Sequence, residues 1–448
     1  MGRVNALAPN DPSDASDPSP SSRLRSSGDP IAADDRSDAP DPLAAFQALR
    51  TPEGTGLLDG LRSYDPSQEL ATATRLRRSH PAALVSAALG QARLRQRAVA
   101  KFGAEDAYRM FFTPNGVEQA TRTSVATHRA RRFAAGGVRS VADLCCGIGG
   151  DAIALARAGI RVLAVDRDPL TAEVARANAV ALGLDGLIEV RCADVAGVDT
   201  SSYDAVFVDP ARRGGRGRIF DPEAYSPPLS WATGAALAAP RAALKIAPGI
   251  PHEAIPAQAE AEWISDGGDV KEAVLWFGEG FAAGSYRATV LPAGATLWSA
   301  SPPPAPPVGP VGRYLYEPDG AVIRAHLVAD LVERCEGRLL DETIAYITSD
   351  EPYESPYTSG YEITDQLPFN MKKLKALLRE RKVGVLTVKK RGSAVEPEEL
   401  RRRMKLQGPE SATVFLTRVA GAPTMLIGHP LTRQARSVRS SAYTCESG

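Results

Sequence analysis

The sequence has few cysteines, no net charge and no long apolar run, and each shortage argues against a class of protein. Its 448 residues include five cysteines without a CxxC pair, which argues against a disulfide framework and a zinc site. Lys plus Arg and Asp plus Glu both number 53, so overall charge gives no evidence for a nucleic-acid partner. No run of about 18 apolar residues occurs, and the first twenty residues lack an apolar signal segment. We expect a soluble cytoplasmic protein with no metal and no membrane span.

Composition predicts tails at both ends and a helical module near the start. Residues 1–42 are dominated by Asp, Pro, Ser and Ala. Such a segment buries too little apolar area to offset its ordering entropy, so we expect a disordered tail. Residues 43–137 repeat apolar residues three and four positions apart, which predicts helices. A second tail is expected over residues 433–448.

The middle of the chain has the pattern of an α/β core. Over residues 138–300, short apolar runs alternate with Ala-rich helical stretches, which predicts βαβ units around a parallel sheet. The last two strands are separated by FGEGFAAGS alone, which would allow an antiparallel hairpin between them. The seven predicted strands are VRSVADL, IRVLAVD, LIEVRC, YDAVFVD, AALKIA, VKEAVLWF and YRATVL.

A proline-rich stretch separates this core from a predicted C-terminal domain. Residues 301–312 contain SPPPAPPVGP, which is stiff and lacks donors, so they are expected to act as a linker. Residues 313–432 mix helical and strand patterns, which predicts a small α+β domain. Its predicted helices are AVIRAHLVADLVERC and EPEELRRRMKL, and its predicted strands include VGVLTV, TVFLTRV and TMLIGH.

The stretch VADLCCGIGGD, residues 141–151, carries the strongest functional signal. An apolar strand ends near a carboxylate, Asp143, and breaks into a glycine turn that opens a helix. Gly147 and Gly149 lack side chains, so a ligand can approach the backbone and its free amides. Asp143 would repel a pyrophosphate and favour a cationic ligand rich in hydroxyl groups, as S-adenosylmethionine is.

Two further acids follow the next two strands. Asp166 ends the second strand, 17 residues after Gly149, where doubly wound folds place an acid that binds both ribose hydroxyls. Asp194 follows the third strand, from which it could reach an adenine edge. The turn, these acids and a motif after strand four together resemble the class I S-adenosylmethionine-dependent methyltransferases.

The resemblance implies a cofactor and a set of residues for it. Asp143 and the glycine turn would hold the methionine part, Asp166 the ribose and Asp194 the adenine. The segment upstream of the turn would cover the methionine end through Gln119 and Thr121. The full set of expected cofactor residues is Asp143, Cys145, Gly147, Gly149, Asp166, Arg167, Asp194, Gln119 and Thr121.

The fourth predicted strand is followed by Asp209-Pro210-Ala211-Arg212. This tetrapeptide resembles the Asp/Asn/Ser-Pro-Pro-aromatic motif of amino-methyltransferases, whose first residue accepts hydrogen bonds from an exocyclic amine. Methyl transfer needs positioning more than strong acid-base catalysis, so Asp209, Pro210 and Arg212 are the predicted catalytic residues. Arg212 stands where an aromatic ring would stack on the base, and a guanidinium can also stack on a base and pair with phosphate.

Local charge favours RNA as the substrate. Residues 371–405 carry thirteen Lys or Arg and four Glu, a local net charge of +9 that suggests a surface for phosphates. With the helical front module and the core, this layout resembles bacterial methyltransferases that have a THUMP-like domain. The prediction is an α/β protein with a Rossmann-like seven-stranded methyltransferase core, an N-terminal helical module and a C-terminal THUMP-like α+β domain.

Alternative functions fit part of the pattern. Glycine turns of this kind also occur in nicotinamide-binding folds. The enzyme could act on a protein or a small molecule, or the chain could be a non-catalytic RNA-binding protein that retains the cofactor. His128 and His252 receive no role, and the sequence leaves the oligomeric state open.

Overall fold

A computed structural model describes residues 41–211, 213–214, 217–218, 222–300 and 304–431. The predicted tails, apart from residues 41 and 42, and the predicted catalytic residue Arg212 lie outside the described residues. From residue 41 onward the described part starts with six α-helices: α1 Pro42–Leu49, α2 Pro52–Gly60, α3 Glu69–Leu76, α4 Ala82–Ala107, α5 Pro114–Gln119 and α6 Thr123–Ala135.

The core then alternates strands and helices. Its elements are β1 Ser140–Leu144, α7 Gly150–Arg157, β2 Arg161–Asp166, α8 Pro169–Leu182, β3 Ile188–Cys192, β4 Ala205–Val208, β5 Arg213–Gly214, β6 Gly217–Arg218, α9 Leu229–Ala238, β7 Arg241–Ile246, β8 Glu260–Asp266, β9 Asp269–Gly278, β10 Tyr286–Leu291 and β11 Ala295–Ser299. Nine of these strands form one sheet in the order β11-β10-β8-β9-β7-β4-β1-β2-β3. The neighbours from β3 to β7 pair in parallel, whereas β9 is antiparallel to both β7 and β8.

This sheet confirms the predicted Rossmann-like core and adds to it. All seven predicted strands are present in this sheet, as β1, β2, β3, β4, β7, β9 and β10, and its two unpredicted strands are β8 and β11. The predicted hairpin between β9 and β10 is wrong. Two glycines after Asp266 turn the chain so that β8 and β9 form the hairpin, and β10 pairs with the other side of β8 in parallel.

Both faces of the sheet are covered, as its apolar strands require. In β4, Ala205 and Phe207 pack towards the helical module, α7 and α8, whereas Val206 and Val208 pack towards α9. Successive strand residues point to opposite faces, so this one strand contributes side chains to the apolar cores on both sides of the sheet. The carboxyl ends of β1, β2 and β4 are thereby fixed at a common edge.

The C-terminal part forms a second sheet, and one of its helices, α10 Gly320–Arg324, packs on strands β8, β9 and β10 of the first sheet. Its elements are β12 Tyr314–Pro318, α10 Gly320–Arg324, α11 Val328–Arg334, β13 Arg338–Asp341, β14 Ile344–Ser349, β15 Thr358–Pro368, α12 Met371–Glu380, β16 Val383–Lys390, α13 Pro397–Met404, β17 Glu410–Val419 and β18 Ala422–Pro430. The strand order is β13-β14-β12-β15-β18-β17-β16. The helix predicted over residues 321–335 is two helices, α10 and α11, because the chain turns at His326, whose φ is 58°.

Candidate functional site

A cleft of about 400 Å³ lies where the glycine turn, Asp166 and Asp209 meet at the carboxyl edge of the parallel strands. A neighbouring cleft of about 300 Å³ shares Cys145, Asp166 and Ala211 with it. Ligands of doubly wound sheets bind at this edge. The two clefts therefore form the candidate site.

The glycine turn presents bare backbone to the larger cleft. Gly147 and Gly149 have φ of 56° and 87°, in the left-handed region that favours glycine. A Cβ added to Gly147 would meet no atom within 4 Å, so its open side is free for a ligand. Cys145 lines both clefts and holds a φ of 66°, which is uncommon for a residue with a side chain.

Asp143 is buried on β1 just before the turn, and it does not line either cleft. Neither of its carboxylate oxygens has a hydrogen-bond partner among the described residues. Burial, with the nearby carboxylates of Asp151 and Asp209, raises the pKa of Asp143 well above its ordinary value. A cationic group in the adjoining cleft would offset this charge.

Asp166 stands at the junction of the two clefts. Its carboxylate accepts hydrogen bonds from the backbone N–H groups of Gly147 and Asp168, both at 3.0 Å. Burial raises the pKa of Asp166, although these two hydrogen bonds oppose the shift. Arg167 and Asp194 line the smaller cleft, and Asp194 also accepts from Ala196 N at 2.9 Å. Both predicted nucleoside acids thus lie at the clefts.

The segment before the core forms one wall of the larger cleft. Gln119, in α5, and Thr121 both line it. Helix α5 packs closely on the glycine turn, because a Cβ added to Gly116 would lie 2.4 Å from the side chain of Ile148. The structure therefore brings these two predicted residues to the wall of the cleft beside the glycine turn.

Asp209 and Pro210 line the same cleft directly after β4. The Asp209 N–H donates to Leu144 O at 3.2 Å, which fixes the residue beside the end of β1. Its Oδ2 accepts from Lys245 Nζ at 2.7 Å, whereas Oδ1 has no hydrogen-bond partner among the described residues. One carboxylate oxygen remains available to a ligand.

Sequence reasoning missed Lys245, a buried lysine near the carboxyl end of β7. Its Nζ also donates to Thr121 Oγ1 at 2.9 Å, so it connects two predicted site residues. Burial lowers the pKa of Lys245, but the charges of Asp209, Glu272 and Asp151 together outweigh this effect and leave the pKa above its ordinary value. The available signal was the single cation within the apolar strand AALKIA.

A second missed group surrounds Arg129 of α6. This fully buried guanidinium forms ion pairs with Asp151 and Glu272, and it lies 4.4 Å from the centre of the Phe207 ring. Burial raises the pKa of Glu272, and the nearby cations of Arg129 and Lys245 oppose that shift. Asp151 and Glu272 line the cleft, so this network forms its inner wall.

These features fit S-adenosylmethionine. Bare glycine backbone, a buried carboxylate without a partner among the described residues and two acids at the smaller cleft would suit its cationic methionine end and its nucleoside. When bound, this cofactor supplies a methyl group on a sulfonium centre. Among the described residues, no cluster of three or more His, Cys, Asp or Glu is arranged to hold a metal, and no described helix is long and apolar enough to cross a membrane.

Comparisons with known proteins agree on a family. Family models match a methyltransferase domain over residues 141–211, a THUMP domain-like region over 358–430 and a domain of unknown function over 41–98. The crystal structure of a candidate methyltransferase from Porphyromonas gingivalis W83 is similar in fold, with a TM-score of 0.68 at 22% identity over 83% of this chain and 96% of that one.

Two proteins from strains of Mycobacterium tuberculosis, both described as uncharacterized S-adenosylmethionine-dependent methyltransferases, are 36% identical to this chain over 339 residues. Each match covers 73% of this chain and 90% of the relative. The cofactor and the catalytic class predicted from the sequence are thereby confirmed. The chain belongs to the S-adenosylmethionine-dependent methyltransferases.

Proposed function

We propose that this methyltransferase modifies RNA at an exocyclic base nitrogen. The observation that carries the RNA assignment is a basic surface on the C-terminal domain, formed by the outward faces of α12 and α13. The exposed cations of this basic face are Lys372, Lys373, Arg379, Lys382, Arg402 and Lys405. None of these six has an ion-pair partner within the described part of the chain.

The two helices of the basic face are held side by side. Leu374 and Leu378 of α12 and Leu400 and Met404 of α13 pack into one apolar cluster on the same side of the sheet. Lys375 Nζ donates to the carbonyl oxygen of Arg403 at 3.0 Å, which links the helices directly. Their outward cations therefore lie on one surface, where they would bind phosphates through counterion release. The THUMP domain-like match includes both helices.

The nitrogen assignment rests on Asp209. Its free oxygen can accept a hydrogen bond from an amino group in the cleft, which would orient the nitrogen lone pair. An amine that gains a methyl group must lose one proton. Asp209 can accept that proton and release it to solvent, because about a quarter of its side chain is exposed. RNA as substrate would place the protein in the cytoplasm.

The test is a transfer assay with the full chain. Labelled S-adenosylmethionine would be incubated with RNA, DNA and protein from cells that lack the gene, and the RNA would be digested for nucleoside mass spectrometry. We expect label in RNA on a base amino group, with activity that falls as salt rises. Label confined to protein or a small molecule, with activity insensitive to salt, would overturn the RNA assignment.

A further inference from the structure

Lys245 places a buried ammonium directly beside the carboxylate of Asp209. Its side chain is 5% exposed, and its Nζ donates to Asp209 Oδ2 at 2.7 Å and to Thr121 Oγ1 at 2.9 Å. An ammonium has three N–H donors. The third has no hydrogen-bond partner among the described residues, and Lys245 lines the larger cleft. A ligand in the cleft can use this spare donor.

Asp209 provides a hydrogen-bond acceptor next to this donor. The lysine occupies its Oδ2, and its Oδ1 is free to accept from a ligand. Because Lys245 stays protonated beside this anion, its nitrogen can only donate. One wall of the cleft thus holds an acceptor and a donor next to each other.

We infer that Asp209 and Lys245 together recognise, by hydrogen bonds, an amino group that adjoins a ring-nitrogen acceptor. The methylated base is then adenine or cytosine rather than guanine. This inference rests on the proposed RNA function. Adenine places its 6-amino group beside the acceptors N1 and N7, and cytosine places its 4-amino group beside the acceptor N3. Either base would donate to Asp209 and accept from Lys245 in one plane.

Guanine does not match the pair. On its Watson–Crick edge the 2-amino group adjoins N1–H, a second donor that would face the ammonium. On the other side lies N3, which is crowded by the ribose. A buried donor without a partner is strongly unfavourable, and sites built on hydrogen bonds reject ligands that leave their groups unpaired. Lys245 is thus a specificity-determining residue.

The same hydrogen bond assists the amine. A cationic donor at the ring nitrogen draws electron density from the ring and makes the amino N–H more acidic. The hydrogen bond from this N–H to Asp209 is thereby strengthened, and the proton leaves more readily. Orientation and proton removal would then depend on one pair of side chains.

The experiment identifies the modified nucleoside. Wild-type full chain, S-adenosylmethionine and RNA from cells lacking the gene should give N6-methyladenosine or N4-methylcytidine after digestion. We expect Lys245→Met to lower transfer by about 100-fold, the rate equivalent of one lost charged hydrogen bond. Cofactor affinity, measured by calorimetry, should change by less than about threefold. Lys245→Arg keeps the donors and should restore part of the activity.

A matched control removes a cation from the same sheet at an exposed position. Arg191 on β3 pairs with Glu189 at 2.8 Å, and Arg191→Met should leave transfer unchanged. N2-methylguanosine, or methyl on carbon or ribose, would overturn the inference and leave RNA as the substrate. Transfer to no RNA at all would overturn the proposed function and this inference with it.

Wild-type transfer by Lys245→Met would also refute the role of the lysine. If that variant fails to fold, as its cofactor titration and thermal unfolding would show, the nucleoside made by the wild-type enzyme still decides between the bases.

Discussion

Arg129 and Glu272 form an ion pair inside the protein, with side-chain exposures of 0% and 3%. The arginine comes from helix α6 and the glutamate from strand β9, so the pair joins the helical module to the core sheet. The same guanidinium contacts Asp151 at the start of α7. Removing one member of such a group leaves buried charge without compensation.

Arg129→Met should therefore lower the free energy of unfolding by about 3–5 kcal/mol, as measured by urea denaturation. The double variant Arg129→Met/Glu272→Gln should recover part of that loss, because one of the two stranded carboxylates is gone. Arg191→Met, at an exposed pair, should cost less than about 1 kcal/mol. Equal effects of the two arginine variants would contradict the assigned role of the buried network.

Asp143→Asn should raise the stability of the unliganded protein and lower its affinity for the cofactor. The raised pKa of Asp143 means that this group stabilises the fold when protonated, at low pH, and that the stabilisation is lost as pH rises through the folded-state pKa. Asparagine does not ionise, so the free energy of unfolding of the variant should rise relative to that of the wild type as pH rises. We expect unliganded Asp143→Asn to be more stable than wild type at pH 8, and the difference in the free energy of unfolding to be smaller at pH 5.

The affinity of Asp143→Asn for S-adenosylmethionine should fall, because the counter-charge is lost. Asp185→Asn alters an exposed carboxylate and should change neither property. A variant that loses stability at pH 8 while binding the cofactor normally would refute this assignment.

Asp166→Ala should weaken S-adenosylmethionine binding by at least about 100-fold in calorimetry, since the carboxylate is the predicted ribose acceptor. The variant also frees the Gly147 N–H from its 3.0 Å hydrogen bond, so thermal unfolding of the unliganded protein must be measured alongside. Asp185→Ala provides the exposed control. Unchanged affinity for S-adenosylmethionine in a folded Asp166→Ala would count against the ribose role.

The basic face should set the salt dependence of RNA binding. Replacing Lys372, Lys373, Arg402 and Lys405 with Gln should weaken binding at 0.1 M salt and reduce the slope of log affinity against log salt by about 1 for each phosphate that is no longer neutralised. A matched variant removes four exposed cations of the helical module, Arg62, Arg75, Arg77 and Arg78. If this control weakens RNA binding as much as the first variant does, RNA is not bound by the C-terminal domain.

The sequence predicted the parts of the site that are contiguous in the chain. A glycine turn after an apolar strand has few structural interpretations, so Asp143, Gly147 and Gly149 were found together with the fold. Asp166 and Asp209 followed because the ends of parallel strands meet at one edge. Their roles in binding and transfer, like that of Arg212, stay predictions.

Lys245 and Glu272 were missed because their proximity in the fold depends on the order of the strands in the sheet. Strand β9 lies between β7 and β8, and this insertion brings a glutamate to the cation of β7. A local pattern does not reveal which distant strand will be the neighbour. Strand β8 was also missed, since its buried acids Glu260 and Glu262 interrupt the apolar signal. Both pair with Arg132 of α6, which lies far away in the sequence.

This dependence on α6 has a consequence for dissecting the enzyme. A fragment cut at residue 137 would keep Glu260, Glu262 and Glu272 on its sheet and lose Arg129 and Arg132, the α6 arginines that pair with them. It would also lose Thr121 and Gln119 from the wall of the cleft. The smallest fragment able to fold and bind a methyl donor therefore starts well upstream of the glycine turn. Any exchange of catalytic domains between related enzymes must include helix α6.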